Sequence, residues 1–193
     1  DKKNYFDTDS KKEIIKKRFK TGAVKFKMKI HAWVILSNYY HLLFQFKEIQ
    51  NLGEFIGFIN GGSSFELNSL ENKRGRQIWW NYWDRCIRNE QTFYKRFNYI
   101  HHNPVKHGYV EKCEDYEFSS YNYYLKKLGE DYMKSIFAQY SIIDFTDKND
   151  KFWHHRSVKL QLDLGPAKTG HSRRLGVSIE PEPIYLTFLL VGW

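Results

Sequence analysis

The stretch Ala32-Trp33-Val34-Ile35-Leu36-Ser37-Asn38-Tyr39-Tyr40-His41-Leu42-Leu43-Phe44 sets two apolar runs on either side of the polar pair Ser37-Asn38. Short runs of β-branched, aromatic and aliphatic residues separated by such a pair predict two strands joined by a hairpin turn or a sharp bend. We place the strands at Lys27 to Leu36 and Tyr39 to Phe46. Side chains alternate across a strand, so Tyr39, His41 and Leu43 share one face of the second run and Tyr40, Leu42 and Phe44 the other. Position 39 thus shares a face with His41.

Downstream, Asn98-Tyr99-Ile100-His101-His102-Asn103-Pro104-Val105-Lys106-His107-Gly108 gathers a tyrosine hydroxyl, an amide and several imidazoles within one or two helical turns. Gln91 to Phe97 lacks Gly and Pro, and Pro104 disfavours helix at the residue before it, so a helix from Glu90 is expected to end near Asn103. On it Tyr99 and Asn103 are i and i+4, on one face, with His102 beside them at i+3. A phenol and an amide able to ligate a metal therefore point into the same space. A purely structural reading also exists: Asn-Pro is a common helix-terminating pair, and an isolated histidine such as His41 is more often half-buried and hydrogen-bonded.

The rest of the chain gives a coarse order. Lys11 to Lys20 reads as a helix with Ile14, Ile15 and Phe19 inward. Asn51 to Ile59 reads as a short amphipathic helix, interrupted at Gly61-Gly62 and resuming through Phe65 and Leu67. Gln77 to Ile87 is strand-like in part, and Tyr132 to Tyr140 suggests one more helix. From Phe145 to Gly170 the sequence is mixed and polar.

Composition bounds the answer. A chain of 193 residues, 41% hydrophobic and 27% charged, fits one globular domain with its own core. A formal net charge of +9 favours polyanionic partners, nucleic acid first. The aromatic content of 18% is high, and most of these rings are assigned to packing, the exposed ones next to basic residues being able to stack unpaired bases. Cys86 and Cys113 form no CxxC pair and no disulfide framework, so reduced thiols are expected. The longest apolar run, Tyr185 to Val191, is far short of a membrane span, and a soluble, intracellular protein is expected.

Four blocks in order, HAWVILSNYYHLLF (31–44), IWWNYWDRCIRNE (78–90), FNYIHHNPVKHGYV (97–110) and EDYEFSSYNYYL (114–125), resemble the REP-associated tyrosine transposases. These belong to the one-tyrosine branch of the His-hydrophobe-His single-strand DNA nucleases and transposases. The resemblance covers roughly residues 1 to 125. It implies an α+β fold, a ferredoxin-like antiparallel sheet with helices packed on it, in a bacterial, cytoplasmic, nucleoid-associated protein acting as monomer or homodimer. It also implies cleavage of single-stranded DNA beside a palindromic-repeat hairpin. A tyrosine attacks the scissile phosphate to give a 5′-phosphotyrosine, while two His and a third side chain hold a divalent cation, Mg or Mn. Such chemistry suits the substrate. A phosphodiester is anionic and poorly electrophilic, and a covalent phosphotyrosine retains the bond energy for rejoining.

Carried over by position, the nucleophile is Tyr99, the second His of the pair is His41 and the third metal ligand is Asn103. The first His of the pair falls on Tyr39, a departure from the family. A phenol with an ordinary pKa of about 10 is mostly protonated and a poor ligand. Impaired cleavage is therefore expected, the alternative being a catalytically inactive protein that binds the DNA hairpin. The remaining histidines His101, His102 and His107 are read as contacting phosphate or solvent, and only His102 lies on the right face to replace the lost ligand. Arg74, Arg76, Lys106 and His107 are the candidate DNA contacts.

The family opens with a strand of the type aromatic-hydrophobe-Thr-Phe, whereas this sequence starts at Asp1 in what reads as the following turn. A matching stretch stands at the back, Pro183-Ile184-Tyr185-Leu186-Thr187-Phe188-Leu189-Leu190-Val191-Gly192-Trp193. We therefore expect a circular permutation, with Tyr185 to Leu190 pairing in the sheet and Trp193 near Asp1. The expected organisation is one domain over 1–193. It comprises a family-matching core (1–125), an additional helix (126–144), a linker or tail (145–183) and the permuted first strand (184–193).

Overall fold

The computed structural model describes residues 3–46, 52–142, 161–162, 177–178 and 185–192. Its elements are α1 (Asp9–Lys25), β1 (Lys29–Ile35), β2 (Tyr40–Phe46), α2 (Leu52–Leu70), β3 (Asn81–Cys86) and α3 (Glu90–Lys106). After a 3-10 turn at Cys113–Asp115 come α4 (Tyr121–Leu128), α5 (Glu130–Gln139), β4 (Gln161–Leu162), β5 (Val177–Ser178) and β6 (Tyr185–Gly192). The chain is α+β, with one four-stranded antiparallel sheet in the order β1-β2-β6-β3 and a separate two-residue ladder between β4 and β5.

Around Ser37-Asn38 the hairpin forms as the sequence predicts, Ile35 opposite Tyr40 and Val34 opposite His41. Between Ile30 and Ala32 the register shifts, so His31 is the extra residue of a bulge. Its ring bonds Gln45 Oε1 at 2.9 Å. The C-terminal segment enters the sheet as expected: β6 runs antiparallel between β2 and β3, with Leu190 opposite both His41 and Trp83. Asp1 and Trp193, whose proximity was also expected, lie outside the described residues, as does most of the linker.

Period two sorts β2 between two layers. Tyr40 and Phe44 face α1 and α2, where Tyr40 meets Phe19 at 5.1 Å and Phe44 meets Phe55 at 5.2 Å between ring centroids. His41 faces α3. The outer edge of β1 is covered by the segment after the 3-10 turn, through Ile35 N to Phe118 O and Ser120 N to Trp33 O, both 2.9 Å. At the far edge of the sheet β3 pairs with β6 on one side and has no second strand partner among the described residues.

Two expectations are corrected. First, α2 is continuous through Gly61-Gly62. Glycine in a helix is less favourable than alanine by only about 1 kcal/mol, and burial of Phe55, Ile56, Ile59 and Leu67 outweighs it. At Gly62 the missing side chain has a use, because a Cβ there would lie 2.7 Å from the Arg18 guanidinium of α1. Second, α3 does not stop at Asn103 but runs to Lys106 with Pro104 inside it. Proline removes one donor and disfavours helix before it, but in the last turn the perturbation is small. The helix then closes at Gly108, whose φ of +70° suits glycine. Tyr109 N reaches Pro104 O at 2.9 Å and Gly108 N reaches Val105 O at 3.0 Å, the paired bonds of a Schellman motif. The other end of α3 is capped by Asn89, whose side chain accepts from Thr92 N at 2.8 Å.

Residues on either side of Tyr99 lock α3 in place. Asn98 Nδ2 donates to Ile136 O at 3.0 Å and Tyr140 O at 2.7 Å, binding α3 to α5. His101 is fully buried, its Nε2 2.7 Å from Ser120 Oγ, which in turn accepts from Trp33 N at 2.9 Å. His101 is therefore not the phosphate- or solvent-facing residue the sequence suggested. It ties α3 to β1, and its burial drives the pKa down to about 3, so it is neutral at physiological pH.

Candidate functional site

Where α3 crosses β2, four side chains from opposite layers meet. Tyr39 Oη donates to Asn103 Oδ1 at 2.9 Å, and Asn103 Nδ2 lies 3.3 Å from His41 Nε2. The rings of Tyr39 and His41 are edge-to-face at 5.2 Å, as are those of His41 and Tyr99, also at 5.2 Å. Two local rules produce the cluster. Strand alternation turns 39 and 41 to the same side, and the i, i+4 spacing of 99 and 103 aims both at that side from the helix. His41 and Asn103 are buried, whereas Tyr99 and Tyr39 are half-buried and give the cluster an open margin.

A glycine admits Tyr39 to this position. Gly192, the last residue of β6, pairs with Asn81 on one side, and a Cβ on it would stand 2.7 Å from Tyr39 Cβ.

The electrostatic setting is basic. Burial lowers the His41 pKa to about 3, and the basic groups Arg96, His107 and Lys106 reinforce that shift. The ring is therefore neutral, and with Nε2 accepting from Asn103 its proton belongs on Nδ1. Lys106 sits over the Tyr99 ring, its Nζ 5.5 Å from the centroid, and exposed His107 stands 5.9 Å from the Tyr39 ring. Arg96, one turn before Tyr99, is buried. Burial first and the Arg85 cation second pull its pKa down to about 9, against an opposing pull from Tyr99. It stays protonated at neutral pH. Sequence reasoning missed Arg96, although the stripe Arg96, Tyr99, Asn103 at i, i+3 and i+7 could have shown it.

The remaining candidates lie elsewhere or are otherwise engaged. Half-buried His102 makes no hydrogen bond or ring contact with the cluster, and its Nδ1 is buried without a hydrogen-bond partner among the described residues. Arg76 is held in the fold: Nη1 pairs with Glu71 at 2.7 Å, Nε donates to Asn68 Oδ1 at 3.0 Å, and the guanidinium lies over the Tyr5 ring. Arg74 is exposed in the turn that follows α2.

As arranged, the cluster does not suit a divalent cation. The one amide oxygen able to ligate, Asn103 Oδ1, accepts the Tyr39 hydroxyl, and the His41 lone pair faces Asn103 Nδ2. Burial first, then neighbouring tyrosines, push the Tyr39 pKa far up, so the phenol remains protonated and cannot serve as an anionic ligand. Among the described residues no group of three or more His, Cys, Asp or Glu could hold a metal ion. The basic surroundings suit an anion instead.

Comparisons with known proteins agree with this geometry at the level of fold and family. A solved chain described as a REP-associated tyrosine transposase bound to a REP hairpin superposes with a TM-score of 0.53 at 21% identity, covering 73% of this chain and 79% of the other. That likeness shows the fold. Among curated proteins, the REP-associated tyrosine transposase of Escherichia coli K12 is 29% identical over 101 residues, 48% of this chain and 54% of its own. A relative from Haemophilus influenzae is 31% identical over 101 residues, 57% of its length. The chain thus spans about half the length of the curated relatives it matches. Residues 1–103, which contain Tyr39, His41, Tyr99 and Asn103, match the family described as IS200-like transposase, and the chain belongs to that family.

Proposed function

We propose that this chain recognises hairpin-bearing single-stranded DNA of the palindromic-repeat type and that Tyr99 is its nucleophile. The observation that carries this reading is the half-buried phenol of Tyr99 set against neutral His41 among Arg96, Lys106 and His107. A scissile phosphate seated there has cations to balance its charge. Attack joins Tyr99 Oη to phosphorus while the bond to the 3′ oxygen breaks, leaving a 5′-phosphotyrosine and a 3′-hydroxyl. The phenol proton passes through solvent to the departing oxygen.

The hydrogen bond from Tyr39 to Asn103 favours a second reading of the same site, in which the protein binds the hairpin and cuts it slowly or not at all. Position 39 separates the two. Element order belongs to this proposal as well. With β6 filling the slot between β2 and β3, a family-type opening strand supplied from the C-terminal side supports a circularly permuted arrangement.

The test uses a labelled hairpin oligonucleotide with single-stranded flanks, with the matched duplex and unstructured strand as competitors. The reading expects preferential, salt-sensitive binding of the hairpin by both wild-type and Tyr99→Phe protein, with any nicking lost in the variant. Equal binding of all three DNA forms contradicts the hairpin reading, and nicking that survives Tyr99→Phe contradicts the nucleophile.

A further inference from the structure

The candidate site continues across the sheet to the β3 edge. Val34, His41, Leu190 and Trp83 are direct cross-strand neighbours in one row through β1, β2, β6 and β3. Directly opposed residues in antiparallel strands point to the same side, so Trp83 shares the face of His41 that α3 overlies. Two strand spacings separate them, about 10 Å. The next outward-facing position on β3 is Arg85, in the row of Leu43 and Phe188. Trp83 is 42% exposed, a large ring left open on the face that carries the site.

Charge links this edge to the cluster. Arg85 acts on Arg96, and Arg96 on His41. Asp84 belongs to the opposite face, in the row of Leu189, and exposed Arg88, whose side chain interacts with Cys86, lies toward that face as well. An exposed indole with an arginine at the next position on its face, on a chain of net charge +9, presents a π-face and a cation together. That pairing suits a nucleobase with its phosphate better than an apolar protein partner.

We propose that Trp83, with Arg85 beside it, is the platform on which an unpaired base of single-stranded DNA stacks as the strand approaches Tyr99. This deepens the hairpin-DNA reading and rests on it. Trp83 is a positioning residue: it holds the strand in line with the site and takes no part in bond making. Base stacking tolerates sequence because every base has a π-face, so the platform sets affinity and register more than base identity.

The experiment is a titration of single-stranded oligonucleotides carrying 2-aminopurine at successive positions, read by fluorescence quenching, on wild-type protein and three variants. Stacking on the indole predicts quenching at one position in the flank. Trp83→Ala should weaken binding about 5- to 150-fold and abolish that quenching, and Trp83→Phe should restore most of both. Tyr82→Ala, a 47% exposed ring in the row of Val191 and Tyr40 on the opposite face, should bind as wild type does. A Trp83→Ala protein that binds and quenches like wild type overturns the platform alone, as does one that loses only self-association in sedimentation. Wild-type protein that binds no single-stranded DNA overturns the platform together with the function it rests on.

Discussion

Tyr39 decides what the site can do, because its hydroxyl is spent on the oxygen that a cation would need. Removing that hydroxyl with Tyr39→Phe strands a buried acceptor, and we expect a loss of about 1–3 kcal/mol in urea unfolding. Tyr39→His frees Asn103 and supplies a second imidazole. Calorimetric titration with Mn²⁺ should then show a site that the wild-type protein lacks, and equally tight binding by the wild type would contradict the locked arrangement. Part of this was legible in the sequence. Period two alone put 39 and 41 on one face, and i, i+4 spacing put 99 with 103. The bond between Tyr39 and Asn103 was not legible, because it depends on how closely α3 docks on β2. That docking is set by distant contacts such as Asn98 with α5 and His101 with Ser120.

At the scale of elements, two glycines make opposite predictions. Gly192→Ala places a methyl group 2.7 Å from Tyr39 Cβ, so β6 or Tyr39 must move. We expect about 1–3 kcal/mol of destabilisation and a displaced Tyr39 hydroxyl resonance by NMR. Gly57, exposed in the middle of α2, has nothing within 4 Å of its would-be Cβ. Gly57→Ala should therefore stabilise by about 0.4–1 kcal/mol, raising the thermal midpoint, and a lowered midpoint would count against the continuous helix. Sequence punctuation misled at two places for related reasons. Gly61-Gly62 and Pro104 are weak helix signals by themselves, and the first is overridden by packing against α1 while the second falls where the helix is already closing. The strands were easier to read, because short β-branched and aromatic runs bounded by polar residues have few other uses.

Across the whole molecule, the sheet is completed by a segment remote in sequence, and the resemblance of that segment to the family's opening strand had suggested the role. Among the described residues, three buried histidines make the fold sensitive to acid. Burial lowers His31 to about 4 and His41 and His101 to about 3, from an ordinary value near 6.5. The folded state thus resists protons that the unfolded chain accepts, and stability falls as pH drops below about 6.5, by up to about 1.4 kcal/mol per pH unit for each histidine. Urea midpoints measured at pH 7.5 and 5.5 should show this loss, and His31→Gln should lessen it; an unchanged midpoint would contradict the burial. The central claim, that Tyr99 is the nucleophile of a site restrained by Tyr39, is tested most directly by trapping the covalent protein–DNA adduct on a denaturing gel. Wild-type protein, Tyr39→His and the double variant Tyr39→His/Tyr99→Phe are each incubated with labelled hairpin DNA and Mn²⁺. The account predicts a faint adduct from wild type, a strong one from Tyr39→His and none from the double variant. An adduct of undiminished intensity from the double variant would contradict it.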